Sequence, residues 1–176
     1  MIKEHFGLPG PSVTELMNRV KLEIVRDDEI EQLHQMQVES FMPLYEKYGD
    51  AGSPALETVE TIRIRASQPN RYYFFIVKDG ARVGAINIGN RCSAEDDTVF
   101  FIGPLFVLPR YQNQGLGYAA IQKAFAMFPG VKVWRLDTIL QEPGNCHLYE
   151  KCGFVRTGEE SVVNDRMTLI DYELKR

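Results

Sequence analysis

Leu105-Phe106-Val107-Leu108-Pro109-Arg110-Tyr111-Gln112-Asn113-Gln114-Gly115-Leu116-Gly117-Tyr118 carries the chain from an apolar strand, through a proline-marked loop, into a glycine-rich turn that opens a helix. The helical pattern runs on through Ala119, Ala120, Ile121, Ala124 and Phe125 and is closed by Pro129-Gly130. Backbone amides at a helix start have no intrahelical acceptor, and the aligned peptide dipoles leave that end partly positive. Glycines let an anion approach those amides closely. The stretch reads as a cradle for a pyrophosphate, and the elements around it decide whose.

Upstream, residues 21–26 (KLEIVR) alternate as a first strand. Asp27 or Asp28 then caps a helix carrying Ile30, Leu33, Met36 and Val38. Residues 42–56, with Pro43, Gly49, Gly52 and Pro54, read as a loop-rich region with a short turn around residues 44–48, and a second helix is expected over 56–66. Residues 71–77 (RYYFFIV) form a strand whose aromatic run suits a sheet core, and Asp79-Gly80 turns it into a returning strand over 82–88. Residues 90–97 are a polar loop, and 98–107 the next strand, interrupted at Gly103-Pro104.

Beyond the central helix, 131–140 is a strand and Pro143 opens a short helix ending near Lys151. Residues 154–161 and 167–174 pair as a hairpin across Asn164-Asp165. Three consecutive meander strands exclude a pure βαβ repeat, so the sheet should be mixed. Residues 1–20 differ in character: Gly7-Leu8-Pro9-Gly10-Pro11 breaks any regular element, and 12–20 could form one short helix. The expected organisation is an N-terminal extension over 1–20, a loosely held arm, and a single domain over 21–176. Met17 is the alternative start of the native chain.

The 176 residues, 44% hydrophobic and 25% charged, suit one globular domain. A net charge of −4 offers no electrostatic case for nucleic acid or an anionic membrane. Cys92, Cys146 and Cys152 are too few for a disulfide scaffold, which makes the cytoplasm the expected compartment. Cys146, His147 and Cys152 lack paired ligand spacing, so no metal is expected.

With Gln112-Asn113-Gln114-Gly115-Leu116-Gly117 preceded by Val107-Leu108-Pro109, and with Leu148-Tyr149-Glu150-Lys151-Cys152-Gly153-Phe154 downstream, residues 21–174 resemble the GNAT superfamily of acyl-CoA-dependent N-acyltransferases. The first motif matches that family's phosphate-binding signature and the second its "LYEK-x-GF" segment. The resemblance implies an α+β fold: a central, mostly antiparallel mixed sheet of six to seven strands, flanked by helices and splayed at the acyl-CoA site. It further implies acetyl-CoA as cosubstrate and transfer of its acetyl group to a primary amine of a small molecule or peptide, by direct attack in a ternary complex. Backbone amides of Gln112, Asn113, Gln114, Gly115, Leu116 and Gly117 would hold the pyrophosphate, and the backbone of Leu105, Phe106 and Val107 would pair with the pantetheine arm. A homodimer is common in the family.

Acetyl transfer asks for a deprotonated amine, a polarised thioester and protonation of the departing thiolate. Tyr149 stands at the family position for that acid, since a phenol with pKa ~10 stays protonated at neutral pH beside a thiolate near ~8.5. The family's cofactor-contacting asparagine commonly lies seven residues before that tyrosine, where this chain has Glu142; Asn145, one helical turn before Tyr149, is the candidate substitute, and the contact is open between Glu142 and Asn145. The base is open among His147, Asp137 and Glu142. Tyr45 and Tyr48 are candidates for the acceptor pocket, while His5 and His34 read as surface or packing residues.

Two other classes compete. Gly115-Leu116-Gly117-Tyr118-Ala119-Ala120 also spells G-x-G-x-x-A, with Asp137 twenty residues after Gly117, as in a nicotinamide-dinucleotide oxidoreductase. The long lead-in over 108–114 and the preceding meander argue against it. A non-catalytic CoA-binding sensor is the other alternative, kept open by the missing obvious base.

Overall fold

The computed structural model describes residues 12–91 and 97–176. The rest of the expected arm with His5, and most of the polar loop with Cys92, lie outside the described residues. Seven strands form one sheet: β1 (Val20–Ile24), β2 (Arg71–Lys78), β3 (Ala81–Gly89), β4 (Val99–Val107), β5 (Val133–Ile139), β6 (Val155–Asn164) and β7 (Met167–Lys175). Their spatial order is β1-β2-β3-β4-β5-β7-β6. Every pairing is antiparallel except β4 with β5. This is the mixed, mostly antiparallel sheet that the meander called for.

Helices cover the sheet unequally. On one face α1 (Val13–Arg19), α4 (Leu116–Met127) and α5 (Pro143–Lys151) enclose Phe74, Ile76, Ile86, Phe100, Trp134 and Tyr172. On the other, α2 (Ile30–Tyr48) and α3 (Val59–Ala66) bury Leu33, Met36, Ile62, Phe75 and Phe106. Because both faces are covered at β2, Tyr73 through Val77 are all buried, the reason that strand reads as an unbroken apolar run. At the far edge β6 is exposed along almost its whole length.

Three local outcomes differ from the sequence reading. Residues 42–48 are not loop: α2 runs through Pro43 and stops at Gly49, whose φ of 64° and N–H bond to the Tyr45 carbonyl (2.7 Å) make it a left-handed C-cap. Proline forfeits one helical hydrogen bond. Packing holds the helix on either side of it, through Phe41 edge-on to Phe106 and the Tyr48 hydroxyl bonded to Glu142. The final turn falls at Asp165-Arg166 rather than Asn164-Asp165, whereas the irregularity expected at Gly103-Pro104, a cis peptide, is present: β4 runs through it, but its register against β3 slips by one residue there.

The third concerns the arm. Its described part is docked: Ser12 and Glu15 form a reciprocal capping box, and Leu16 is buried in the core shared with α4. Arg19 bonds Asp79 in the β2–β3 turn (Nε–Oδ1 2.9 Å).

The sheet forks in the middle. β4 and β5 pair only from Val99 to Phe101 opposite Val133 to Arg135. Past that point β4 stays with β3 through Val107, and β5 stays with β7 through Ile139. The fork begins just before Gly103-Pro104 and leaves one edge of β4 facing a cleft.

Candidate active site

The glycine-rich turn lies at the end of β4. Asn113 (φ 60°) and Gly115 (φ 75°) take left-handed conformations that reverse the chain into α4. The first intrahelical bond at this end runs from the Ala119 N–H to the Gly115 carbonyl (3.0 Å). The amides of Leu116, Gly117 and Tyr118 therefore precede the helical ladder, and Gln112 to Gly115 are exposed. Gln112 closes the loop by donating its amide to the Val107 carbonyl (3.0 Å). Lys78 bonds Gln114 (2.7 Å) and brings an ammonium to the turn that the sequence reading did not single out. The glycines also serve packing: a Cβ on Gly115 would lie 2.9 Å from Leu16 Cδ2, and one on Gly117 3.0 Å from Leu148 Cδ2. An exposed amide turn at the positive end of a three-turn helix, beside a free strand edge, fits a CoA pyrophosphate and its pantetheine arm.

A cavity of about 470 Å³ opens where β4 and β5 part. Leu105 and Pro104 of β4, Asp137 and Thr138 of β5, and Asn145 and Tyr149 of α5 line it together. Of the predicted pantetheine-pairing residues, Leu105 lines the cavity, while Phe106 and Val107 continue the strand toward the turn. Tyr149 is 8% exposed, and its ring lies 6.2 Å from Phe154 and 6.1 Å from Tyr172. Burial, and then the charge of Asp137, push its phenol well above the usual tyrosine range, so it is protonated at any physiological pH.

The three base candidates separate cleanly. His147 is exposed and does not reach the cavity. Glu142 accepts the Tyr48 hydroxyl (2.6 Å) and the Lys47 ammonium (2.6 Å), tying the end of α2 to the start of α5. Burial raises the Glu142 pKa, but those two partners outweigh it and leave the carboxylate below its usual range. Asp137 alone faces the cavity. Its carboxylate is half open to solvent, with Arg91 3.9 Å away. Partial burial lifts its pKa, Arg91 draws it down, and Asp171 across the β5–β7 ladder pushes it up, for a net rise.

Tyr45 lines the cavity, whereas Tyr48 is buried against Glu142. His34 packs inside, its Nε2 2.8 Å from the Glu57 carbonyl. Sequence reasoning missed three arginines in the cavity wall, Arg65, Arg71 and Arg91. They come from α3, the first residue of β2 and the start of the connection from β3 to β4, and no local pattern links them. Cys146 and Cys152 are buried free thiols, and no cluster of three metal-ligating side chains occurs among the described residues.

Sheet, fork and amide turn together define an acyltransferase-like fold. The model of the acetyltransferase (GNAT) family matches residues 30–154, and the chain belongs to that family. It is an acetyl-CoA-dependent N-acetyltransferase, and the dinucleotide alternative falls with it. No curated protein matches the chain in sequence. Among solved structures it is similar to the microcin C7 self-immunity acetyltransferase in complex with acetyl-CoA and AMP (15% identity, 90% of this chain and 93% of that one, TM-score 0.70). The spermidine N-acetyltransferase from Vibrio cholerae in complex with CoA and spermine is equally similar (15%, 90% and 96%, 0.70). So is the Salmonella typhimurium acetyltransferase that modifies the N-terminal serine of ribosomal protein L7/L12 (12%, 90% and 95%, 0.68). At these identities the likeness is one of fold.

Proposed function

We propose that the chain transfers an acetyl group from acetyl-CoA to a primary amine of a small molecule or peptide, in one step within a ternary complex. The observation that carries this reading is the fork beyond Phe101, which gathers Tyr149, Asp137 and Asn145 around one cavity at the free edge of β4. Acetyl-CoA supplies the activated acyl carbon and a thiolate leaving group. The amides of Gln112 to Gly117 hold the pyrophosphate, with Lys78 adding a cation, while the backbone of Leu105 to Val107 aligns the pantetheine arm. Asn145 takes the cofactor contact.

Asp137 accepts the proton of the incoming ammonium, directly or through one water, and frees the nitrogen lone pair for the carbonyl carbon. As the C–N bond forms and the C–S bond breaks, the Tyr149 hydroxyl hydrogen-bonds the sulfur and gives it a proton. The same burial that raises the phenol pKa raises that of a sulfur leaving into it, so the two stay matched locally. The second nitrogen proton leaves through solvent and restores the phenol. The free thiols of Cys146 and Cys152 support a reducing compartment, the cytoplasm.

Thiol release on mixing the protein with acetyl-CoA and a panel of amines tests the reading. Acceptor-dependent release that Tyr149→Phe abolishes, with CoA affinity retained, supports it. CoA binding without release on any amine would leave the sensor alternative standing.

A further inference from the structure

Three guanidinium groups line the acceptor cavity, and they are not equivalent. Arg65 is neutralised by Glu57 (Nη2–Oε1 2.5 Å, Nη1–Oε2 3.2 Å) and also bonds the Tyr73 hydroxyl (3.0 Å). Arg91 donates to the Gly103 carbonyl (2.7 Å), lies over the Phe101 ring and has Asp137 at 3.9 Å. Arg71 has no carboxylate within ion-pair distance among the described residues. Its one hydrogen bond among the described residues is a long contact from Nη2 to Asn87 Oδ1 (3.4 Å), and its Nε is fully buried without a partner. Burial and the charge of Arg91 both lower its affinity for its proton.

Buried polar groups are almost always satisfied, so a buried donor left without a partner on this half-buried cation needs an explanation. The surroundings position this side chain rather than leave it to chance. Gly89 stands opposite Arg71 in the β2–β3 ladder, and a Cβ there would come within 3.0 Å of Arg71 Cδ. Asn87, buried, donates to the Tyr72 carbonyl (3.0 Å) and so presents its oxygen to Arg71. A planar guanidinium with free donors matches carboxylate or phosphate oxygens.

We propose that Arg71, with Arg91 beside it, is an anion site of the acceptor cavity, so that the amine accepted here also carries a carboxylate or phosphate group. The proposal rests on the acetyl-transfer reading and narrows its acceptor. The amine lies toward Asp137 and Tyr149, and the anion toward Arg71. The three carboxylates that line the cavity among the described residues do not make it a site for polycations: Glu57 is consumed by Arg65, Asp50 accepts the Gly52 N–H within its own turn (2.8 Å), and Asp137 serves the amine.

The test compares matched acceptors at saturating acetyl-CoA. α-Amino acids are set against their carboxamides, phosphoethanolamine against ethanolamine, and spermidine stands as the cationic control. The anionic member of a pair should exceed its neutral partner at least about tenfold in kcat/KM, and the preferred pair tells carboxylate from phosphate. Arg71→Gln should remove that advantage through KM, with kcat, CoA affinity and melting temperature little changed, and Arg71→Lys should restore part of it. Preference for neutral or cationic amines, or equal loss on both members of a pair in a folded Arg71→Gln protein, overturns the proposal. If no amine turns over, the transfer reading fails, and calorimetry of the same acids decides the anion site. Binding weakened by Arg71→Gln upholds it, and binding that is absent or unchanged refutes it.

Discussion

At the end of the cleft proposed for the cofactor, residues 105–118 supply strand edge, loop and helix start in one unbroken run, and their contribution is mostly backbone. At the acceptor end the cavity is made of side chains from α2, α3, β2, β4, β5 and α5, with Arg65 and Asp137 far apart in sequence. The first end depends on φ/ψ values and the absence of Cβ atoms, which a handful of adjacent residues dictate. The second depends on how distant elements pack. An invariant ligand suits the first construction; an acceptor that differs between related enzymes suits the second, because side chains can be exchanged without rebuilding the chain path.

Substitutions that act on one end and spare the other sharpen this contrast. Tyr149→Phe should have the largest effect, lowering kcat by about 10² to 10⁴-fold with CoA affinity unchanged, as stopped-flow thiol detection and calorimetry would show. An unchanged kcat would remove Tyr149 from the chemistry. Asp137→Asn should cost about 10²-fold at neutral pH. In the parent protein kcat/KM should rise as Asp137 loses its proton, at a pH above the ordinary aspartate range because its pKa is raised. In the variant that acid limb should vanish, leaving only titration of the amine.

Gly115→Ala acts on the other end. A side chain at φ 75°, facing Leu16, costs about 1–2 kcal/mol, and weaker CoA binding should accompany a lower melting temperature while the acceptor preference is kept. A shift in acceptor preference would break the separation of the two ends. Glu142→Gln should be mildest, lowering the melting temperature by a few degrees at neutral pH. A carboxylate held below its usual pKa stabilises the fold above the unfolded value and loses that contribution as pH falls through the folded one. The difference between parent and variant should therefore shrink in acid.

The same contrast explains what the sequence disclosed. The glycine-rich turn into α4, the Asp79-Gly80 hairpin and the helix opened by Pro143 are written in adjacent residues, and the structure has each of them. Pro43 was legible only as a breaker, because the contacts that carry α2 past it come from Phe106 and Glu142, distant in sequence. Gly103-Pro104 marks the irregularity within β4, but nothing local marks Phe101 as the last residue paired with β5. Arg71 looked like the polar first residue of a strand. Its unpaired state is a property of Asn87, Gly89 and Arg91 around it, and none of these neighbours is its neighbour in sequence.

Leu16 gives the segment before β1 a reach beyond its own helix. Its methyl group fills the space that a side chain on Gly115 would occupy, so the outer wall of the glycine-rich turn is furnished by α1. A polypeptide begun at Met17 would lack that methyl and the Ser12 cap that sets the helix in place. Choice of start codon, an N-terminal fusion or proteolytic trimming thereby becomes a change in the wall of the glycine-rich turn, exerted without altering any residue of the motif.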